Sequence, residues 1–272
     1  AWVNQFLRES GFSAQIGYDD VINPLWERAV LLANIDLPYE TTFYEEEWNR
    51  IVIAQEALTL EKYVKVTRNG RGTRLDRKKR MQVWKVFENY QNLMKENQIR
   101  DINTAMYEST KLLQSAGRKP RYASIIIDEG QDFSDNAYRL IRALAGEEHP
   151  NDIFIVGDSH QRIYRNHPTL SKCGINVRGR SSILKINYRT TEEIRKHAFA
   201  LLNGISFDDL DEDLDLGDKC QSLTHGEKPI VENFENANDE FDFLLREVKK
   251  LKENGVSLTD ICVVARTKKL VD

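Results

Sequence analysis

Ile125, Ile126 and Ile127 run directly into Asp128 and Glu129, and Gly130, Gln131 and Asp132 follow. A β-branched run that ends in a polar turn reads as a buried parallel strand. Such strands need crossover connections, so the fold should be α/β, with helices covering a sheet. In open sheets of this kind ligands sit at the carboxyl ends of the strands. An Asp-Glu pair at that place can hold Mg²⁺ and activate a water, as nucleoside triphosphate hydrolysis requires. Gln131 adds a neutral donor and acceptor beside it. Taken alone, these letters equally describe a solvated loop, and other segments must decide.

Two further segments repeat the pattern. Ile153-Phe154-Ile155-Val156 opens onto Gly157-Asp158-Ser159-His160-Gln161. Glycine there lets backbone approach a ligand closely, and Gln161 can bond a terminal phosphate oxygen or an attacking water. Ile183-Leu184-Lys185-Ile186 leads to Asn187-Tyr188-Arg189-Thr190-Thr191. A tyrosine can stack on a base, and an arginine can stabilise charge on a transferring phosphoryl group. Thr190 and Glu193 have capping-box spacing, which predicts a helix start. Each segment alone also fits a core aromatic or a surface ion pair; their order and spacing are harder to dismiss.

Asp128-Glu129-Gly130-Gln131, then Val156 through Tyr164, then Asn187-Tyr188-Arg189-Thr190-Thr191 resemble the second, third and fourth motifs of UvrD/Rep-like superfamily 1 helicases. The strong likeness covers roughly residues 122–191. Asp260 through Thr267 more weakly resembles the strand after the fourth motif, and Gly70-Arg71-Gly72 the helical region before the second. The resemblance implies RecA-like (P-loop NTPase) lobes with a helical accessory subdomain, ATP and Mg²⁺ as cofactors, and single-stranded DNA or a partial duplex as partner. It implies that Asp128 holds Mg²⁺, Glu129 is the general base, and Gln131 couples nucleotide to motor. It implies further that Gln161 senses the γ-phosphate, Tyr188 stacks on adenine, Arg189 is an arginine finger, and Tyr164 contacts the strand. The implied activity is ATP-driven 3′-to-5′ movement on one strand with duplex unwinding.

The chain departs from that pattern in two places. Relatives usually carry Trp two residues after the position of Tyr164, where Asn166 stands here. A base-stacking platform is worth ~1–3 kcal/mol. No Gly-x-x-x-x-Gly-Lys-Ser/Thr occurs in the 272 residues. That loop supplies the backbone cradle and lysine for phosphates. The family's last two motifs are missing too. The expectation is an internal fragment of a helicase that does not hydrolyse ATP alone. Two alternatives stand beside it: a non-catalytic nucleic-acid or protein-binding module on a helicase fold, and a carboxylate-metal nuclease using Asp128, Glu129 and Asp132.

Charge is unevenly distributed. Residues 1–60 carry 3 basic and 10 acidic side chains, whereas residues 61–122 carry 16 basic and 6 acidic. Arg68, Arg71, Arg74, Arg77, Lys78, Lys79 and Arg80, near Trp84, Phe87 and Tyr90, could track a phosphate backbone. Arg71, Arg74, Arg77, Lys78 and Arg80 are therefore candidate nucleic-acid contacts, against the alternative of a solvated helix face. Seven acids within residues 208–218 lack the pattern of a Ca²⁺ loop and read as an exposed loop. Cys173, Cys220 and Cys262 are too widely spaced for a metal knuckle, and no signal peptide or long apolar run is present. A cytoplasmic location without membrane contact is the expectation.

Apolar spacing gives the elements along the chain, and the resemblance implies how they group into a first lobe with an accessory subdomain and a second lobe. Residues 1–120 read as mostly helical, comprising the start of the first lobe and an accessory subdomain. Residues 121–180 read as the remainder of the first lobe, with a helix begun by Ser134 or Asp135 and ended by Gly146. Residues 181–272 read as a partial second lobe. There, strands are expected at 183–186, 230–234 and 261–265, with helices at 191–203 and 238–254, the latter stopped by Gly255.

Overall fold

The structure, a computed structural model, describes residues 2–13, 15–68, 71–115, 122–161, 169–202, 207–208, 214–215 and 220–265. It divides into two compact units, residues 1–183 with 205–216, and residues 184–204 with 217–272. Each is described separately.

The first unit opens with α1 (Trp2–Glu9), β1 (Gln15–Ile16), α2 (Asp19–Ala33) and α3 (Thr41–Glu47). A π-helical stretch, Trp48–Ile53, continues α3, and α4 (Leu60–Tyr63) follows. Then come α5 (Arg77–Glu96), β2 (Ile99–Arg100) and α6 (Ile102–Ser115), so the first 115 residues are mostly helical, as the spacing predicts. Asp76 starts α5 by accepting the Lys79 N–H at 2.8 Å. From there Val83, Trp84, Val86, Phe87, Tyr90, Leu93 and Met94 form one buried stripe. Its aromatics meet Trp26 of α2 and Trp48, with Trp26 stacked on Tyr90 at 3.6 Å between ring centroids. Aromatic pairs of this kind stabilise beyond the area they bury.

A second, smaller core lies under β3 (Ile125–Ile127), α7 (Asp135–Ala145) and β4 (Ile153–Ile155). β3 and β4 are parallel, with Ile125, Ile126 and Ile127 opposite Ile153, Phe154 and Ile155. Period-2 geometry sends Ile125, Ile127, Ile153 and Ile155 toward Tyr138 of α7. Ile126 and Phe154 take the other face, where they are 77% and 63% exposed. The expectation of a strand buried on both sides is corrected: among the described residues only one face is covered. Ser134 caps α7 by accepting the Ala137 N–H, and Gly146 ends it at φ 78°. α6 packs along α7, and Arg139 of α7 donates to the Ala54 carbonyl just past the π-helix.

The second unit has β5 (Ile186–Asn187) and α8 (Glu192–Ala200). The short antiparallel pair of β6 (Phe207–Asp208) and β7 (Leu214–Asp215) then intervenes, as part of the first unit. The second unit resumes with β8 (Gln221–Ser222), parallel to β5, and α9 (Ala237–Glu253), which stops before Gly255 at φ 88°. Three expectations change here. The strand predicted at 183–186 is confined to 186–187. Residues 230–234 and 261–265 are not strands; Ile230, Val231 and Val264 are 67%, 62% and 85% exposed. A strand needs a ladder partner, and β5 and β8 have only each other among the described residues of this unit. The cap of α8 is Thr191, one residue beyond the predicted Thr190, and its hydroxyl accepts the Ile194 N–H. No helix among the described residues is long and apolar enough to cross a membrane.

Candidate nucleotide-handling site

The turn after β3 is held from three sides. The Gly130 N–H donates to the Val156 carbonyl at 2.9 Å, past the end of β4. The Gly130 carbonyl accepts the Tyr138 hydroxyl at 2.6 Å and the Phe133 N–H at 3.2 Å. A Cβ at Gly130 would lie 2.7 Å from Ile155 and 2.8 Å from the Tyr138 oxygen, so only glycine fits. Glu129 is left in the left-handed region, at φ 52° and ψ 43°. For a residue with a side chain that conformation costs roughly 1–2 kcal/mol, which the surrounding bonds must offset.

Asp128 and Glu129 are exposed at the strand end, and the Glu129 N–H donates to Asp128 Oδ1 at 2.9 Å. Gln131 is 1% exposed and links two segments. Its Nε2 donates to Glu129 Oε2 at 2.7 Å, and its Oε1 accepts the Asp158 N–H at 2.9 Å. The second contact fixes which end of the amide faces Glu129. Gly157 makes this approach possible, since a Cβ there would lie 2.8 Å from Gln131 Oε1. Asp158 then gathers the next loop: Oδ1 accepts the His160 N–H at 3.0 Å, and Oδ2 accepts Gln161 Nε2 at 2.9 Å. Asp128, Glu129, Gln131 and Gln161 are thus one connected polar group.

Asp128 presents an open carboxylate beside Glu129, a fit to Mg²⁺, which takes one or two protein carboxylates and completes its shell with water and phosphate oxygens. No three His, Cys, Asp or Glu side chains converge in metal-holding geometry among the described residues, which leaves the nuclease alternative without a cluster. Cys173 packs on Asp135, and burial pushes its thiol up to about 12, so it is a neutral core group.

In the second unit, Tyr188 is 75% exposed and Arg189 is exposed. Their turn is organised by Asn187, whose Oδ1 accepts the Arg189 N–H at 2.9 Å and the Thr190 N–H at 3.4 Å. Its Nδ2 donates to Thr190 Oγ1 and to Ser222 Oγ. Glu192 and Glu193, at the start of α8, tie residues 222–226 down. Hydrogen bonds from Arg195 and the Ser222 N–H hold the Glu192 carboxyl down at about 2. Those from His225 and the Gly226 N–H do the same for Glu193.

The basic segment needs a correction. Arg71 is not a free cation: its side chain is 4% exposed, and it donates to Glu46, to Glu47 Oε2 at 2.9 Å and to the Phe43 carbonyl at 3.0 Å. Arg68 grips both oxygens of the same buried Glu47, which also accepts the Tyr63 hydroxyl. Arg80 donates one nitrogen to the carbonyls of Tyr63, Val64 and Val66. Arg71 and Arg80 are therefore internal fasteners rather than phosphate-tracking side chains. Arg74, Arg77 and Lys78 are exposed, and none has an ion-pair partner among the described residues. Of these, Arg74 lines an open cleft of about 680 Å³, together with Arg68, Thr73 and Arg80. Tyr164 and Asn166 lie outside the described residues.

Sequence reasoning missed Tyr138, Asp158 and Glu47. The Gly157-Asp158 pair after an apolar run was a signal for Asp158. Nothing local marks the other two, since their partners lie 8 and 21 residues away.

Carboxylates on a glycine-bearing turn, at the end of one of two parallel strands and wired to the turn after the next, define the candidate site of an α/β protein. Comparison with known proteins narrows this. Residues 29–167 match the UvrD/REP helicase N-terminal domain, and residues 182–272 match the UvrD-like helicase C-terminal domain. The first match alone covers just over half the chain, which therefore belongs to the UvrD/Rep helicase family. Among relatives, a probable DNA helicase II homolog of Mycoplasma pneumoniae is 27% identical over 177 residues, covering 62% of this chain and 24% of its own. The ATP-dependent DNA helicase PcrA of Staphylococcus aureus is 25% identical over 198 residues, covering 67% and 25%. The ATP-dependent DNA helicase UvrD1 of Mycobacterium bovis is 23% identical over 202 residues, again covering 67% and 25%. The chain thus spans about a quarter of the length of these curated relatives.

Proposed function

We propose that this chain is the central part of an ATP-dependent DNA helicase, in which ATP hydrolysis drives movement along single-stranded DNA and unwinding of duplex. The observation that carries the reading is the Gln131 bridge between Glu129 and the Asp158–Gln161 loop, which ties a hydrolytic carboxylate to a loop able to sense phosphate. On this reading residues 121–180 complete a first RecA-like lobe, 181–272 form part of a second, and the helices before them include an accessory subdomain.

Asp128 would hold the Mg²⁺ that accompanies ATP, and that ion would draw negative charge from the phosphate oxygens. Glu129 takes the proton of the attacking water as general base. Gln131 holds the Glu129 carboxylate in place and passes its position to Asp158. Gln161 donates its amide to the γ-phosphate once it leaves Asp158. Tyr188 stacks on the adenine, and Arg189 stabilises charge on the transferring phosphoryl group. Arg74, Arg77 and Lys78 attract the nucleic-acid backbone, with Tyr164 as an aromatic contact.

Without a Gly-x-x-x-x-Gly-Lys-Ser/Thr loop, the 272 residues alone should show no Mg-dependent ATPase. Robust turnover by them would refute that part. In the intact helicase Glu129→Gln should retain ATP binding and lose hydrolysis by orders of magnitude, read as phosphate release with and without single-stranded DNA. Near-normal release in that variant refutes the role assignment, and a non-catalytic binding module would then be the better reading.

A further inference from the structure

The Tyr138 side chain is completely buried, and its hydroxyl reaches the Gly130 carbonyl at 2.6 Å. Gly130 directly follows Glu129, whose backbone is in the left-handed region. We propose that Tyr138 is a positioning residue for Glu129: its hydroxyl, acting through the Gly130 peptide, keeps the Glu129 carboxylate aimed for catalysis. This rests on Glu129 being the general base.

Glu129 lies at a φ that side-chain-bearing residues rarely adopt, so the peptide after it tends to rotate back toward an ordinary conformation. Two contacts oppose that rotation at Gly130. The Val156 carbonyl holds the N–H side from β4, and Tyr138 holds the carbonyl side from α7. The hydroxyl oxygen also lies only 2.8 Å from where a Cβ of residue 130 would be, so with the Ile155 methyl at 2.7 Å the atom that supplies the bond helps to exclude a larger residue. On removal of the hydroxyl the carbonyl keeps, among the described residues, the longer Phe133 N–H contact at 3.2 Å. The helix, the strands and the Gln131–Asp158 contact would persist, while the Glu129 turn gains freedom. Misplacement of a reacting group by about 1 Å can cost roughly 10²-fold in rate.

The test uses the intact helicase and four forms: wild type, Tyr138→Phe, Glu129→Gln and the double variant. Single-turnover phosphate release and KM for ATP are measured in each, with thermal unfolding as a check on folding. The expected result is a 10- to 100-fold lower kcat for Tyr138→Phe with KM for ATP unchanged, on the order set by that geometric effect. The double variant should be no slower than Glu129→Gln, because residues acting through one group are not additive. Unchanged kcat in Tyr138→Phe overturns the proposal, and so do rate losses that multiply in the double variant. Wild-type turnover in Glu129→Gln overturns the general-base reading and this inference with it.

Discussion

Two strand-end turns carry the candidate chemistry, and they are built in opposite ways. The turn after β3 is fixed from outside itself. Tyr138, Val156 and Asp158 hold it, Gln131 is buried, and Glu129 is kept in an unfavourable conformation. The turn after β5 is held largely from within. Asn187 closes it with its own side chain, and Tyr188 and Arg189 extend into solvent. A carboxylate that must meet a water at one angle benefits from a rigid frame. A stacking ring and a charge donor that engage a bound nucleotide need freedom to move. The difference suggests that the first turn is preorganised and the second adapts on binding.

The largest test of that contrast is Arg189→Ala. If Arg189 acts only on the reacting phosphoryl group, hydrolysis in the intact helicase should fall by ~10³-fold or more, and the melting temperature should not move. A lower melting temperature would place Arg189 in the fold instead. Gly157→Ala comes next. Its Cβ would meet Gln131 Oε1 at 2.8 Å and two backbone nitrogens at 3.2 and 3.3 Å. Overpacking of this kind costs about 1–3 kcal/mol, so denaturant unfolding should move to a lower midpoint, with hydrolysis reduced as well. An unchanged midpoint would mean that the first turn is softer than its bonds imply. Asn187→Ala should cost less, about 1 kcal/mol, because two of its three partners, Arg189 and Thr190, are exposed or half-buried and water replaces them. A loss larger than that of Gly157→Ala would reverse the ranking of the two turns.

The smallest effect is one of acidity. Glu192 and Glu193 have carboxyls held down at about 2 in the folded chain, from an ordinary value of 4.5. Depressed carboxyls stabilise the fold fully above the unfolded value and lose that contribution as pH falls through the folded value. The strap at residues 222–226 should therefore hold above pH ~4.5 and loosen toward pH ~2. Carboxyl titration by NMR, with the Ser222 and Gly226 amide shifts as reporters, reads this directly. Midpoints near 4.5 would show that the anchors are not formed in solution.

Particular residues show why some of this could be read in the chain and some could not. Ser134, Gly146 and Gly255 mark helix ends because capping is a local event between neighbours. Asp128, Glu129, Gln161 and Arg189 stand out because each follows an apolar run. The arginines misled because charge in a sequence carries no sign of its partner, and Glu47 lies 21 and 24 residues before Arg68 and Arg71. The segments at 230–234 and 261–265 have strand composition without a strand, since a ladder depends on a second segment that composition does not specify. The helical expectation held across the described part of the first 115 residues for the opposite reason: helical bonds close within the segment itself.

Glu47 has one more consequence. By gathering Arg68 and Arg71 it removes two cations from the side that a polyanion can reach, and the three carbonyls on Arg80 tether a third. Around the start of α5, Arg74, Arg77, Lys78 and Lys79 remain without a salt-bridge partner among the described residues. On the proposed reading, those four can displace condensed counterions from a strand. About four such contacts correspond to a logarithmic salt slope near −3, gentler than the crowded arginines and lysines of this segment would suggest.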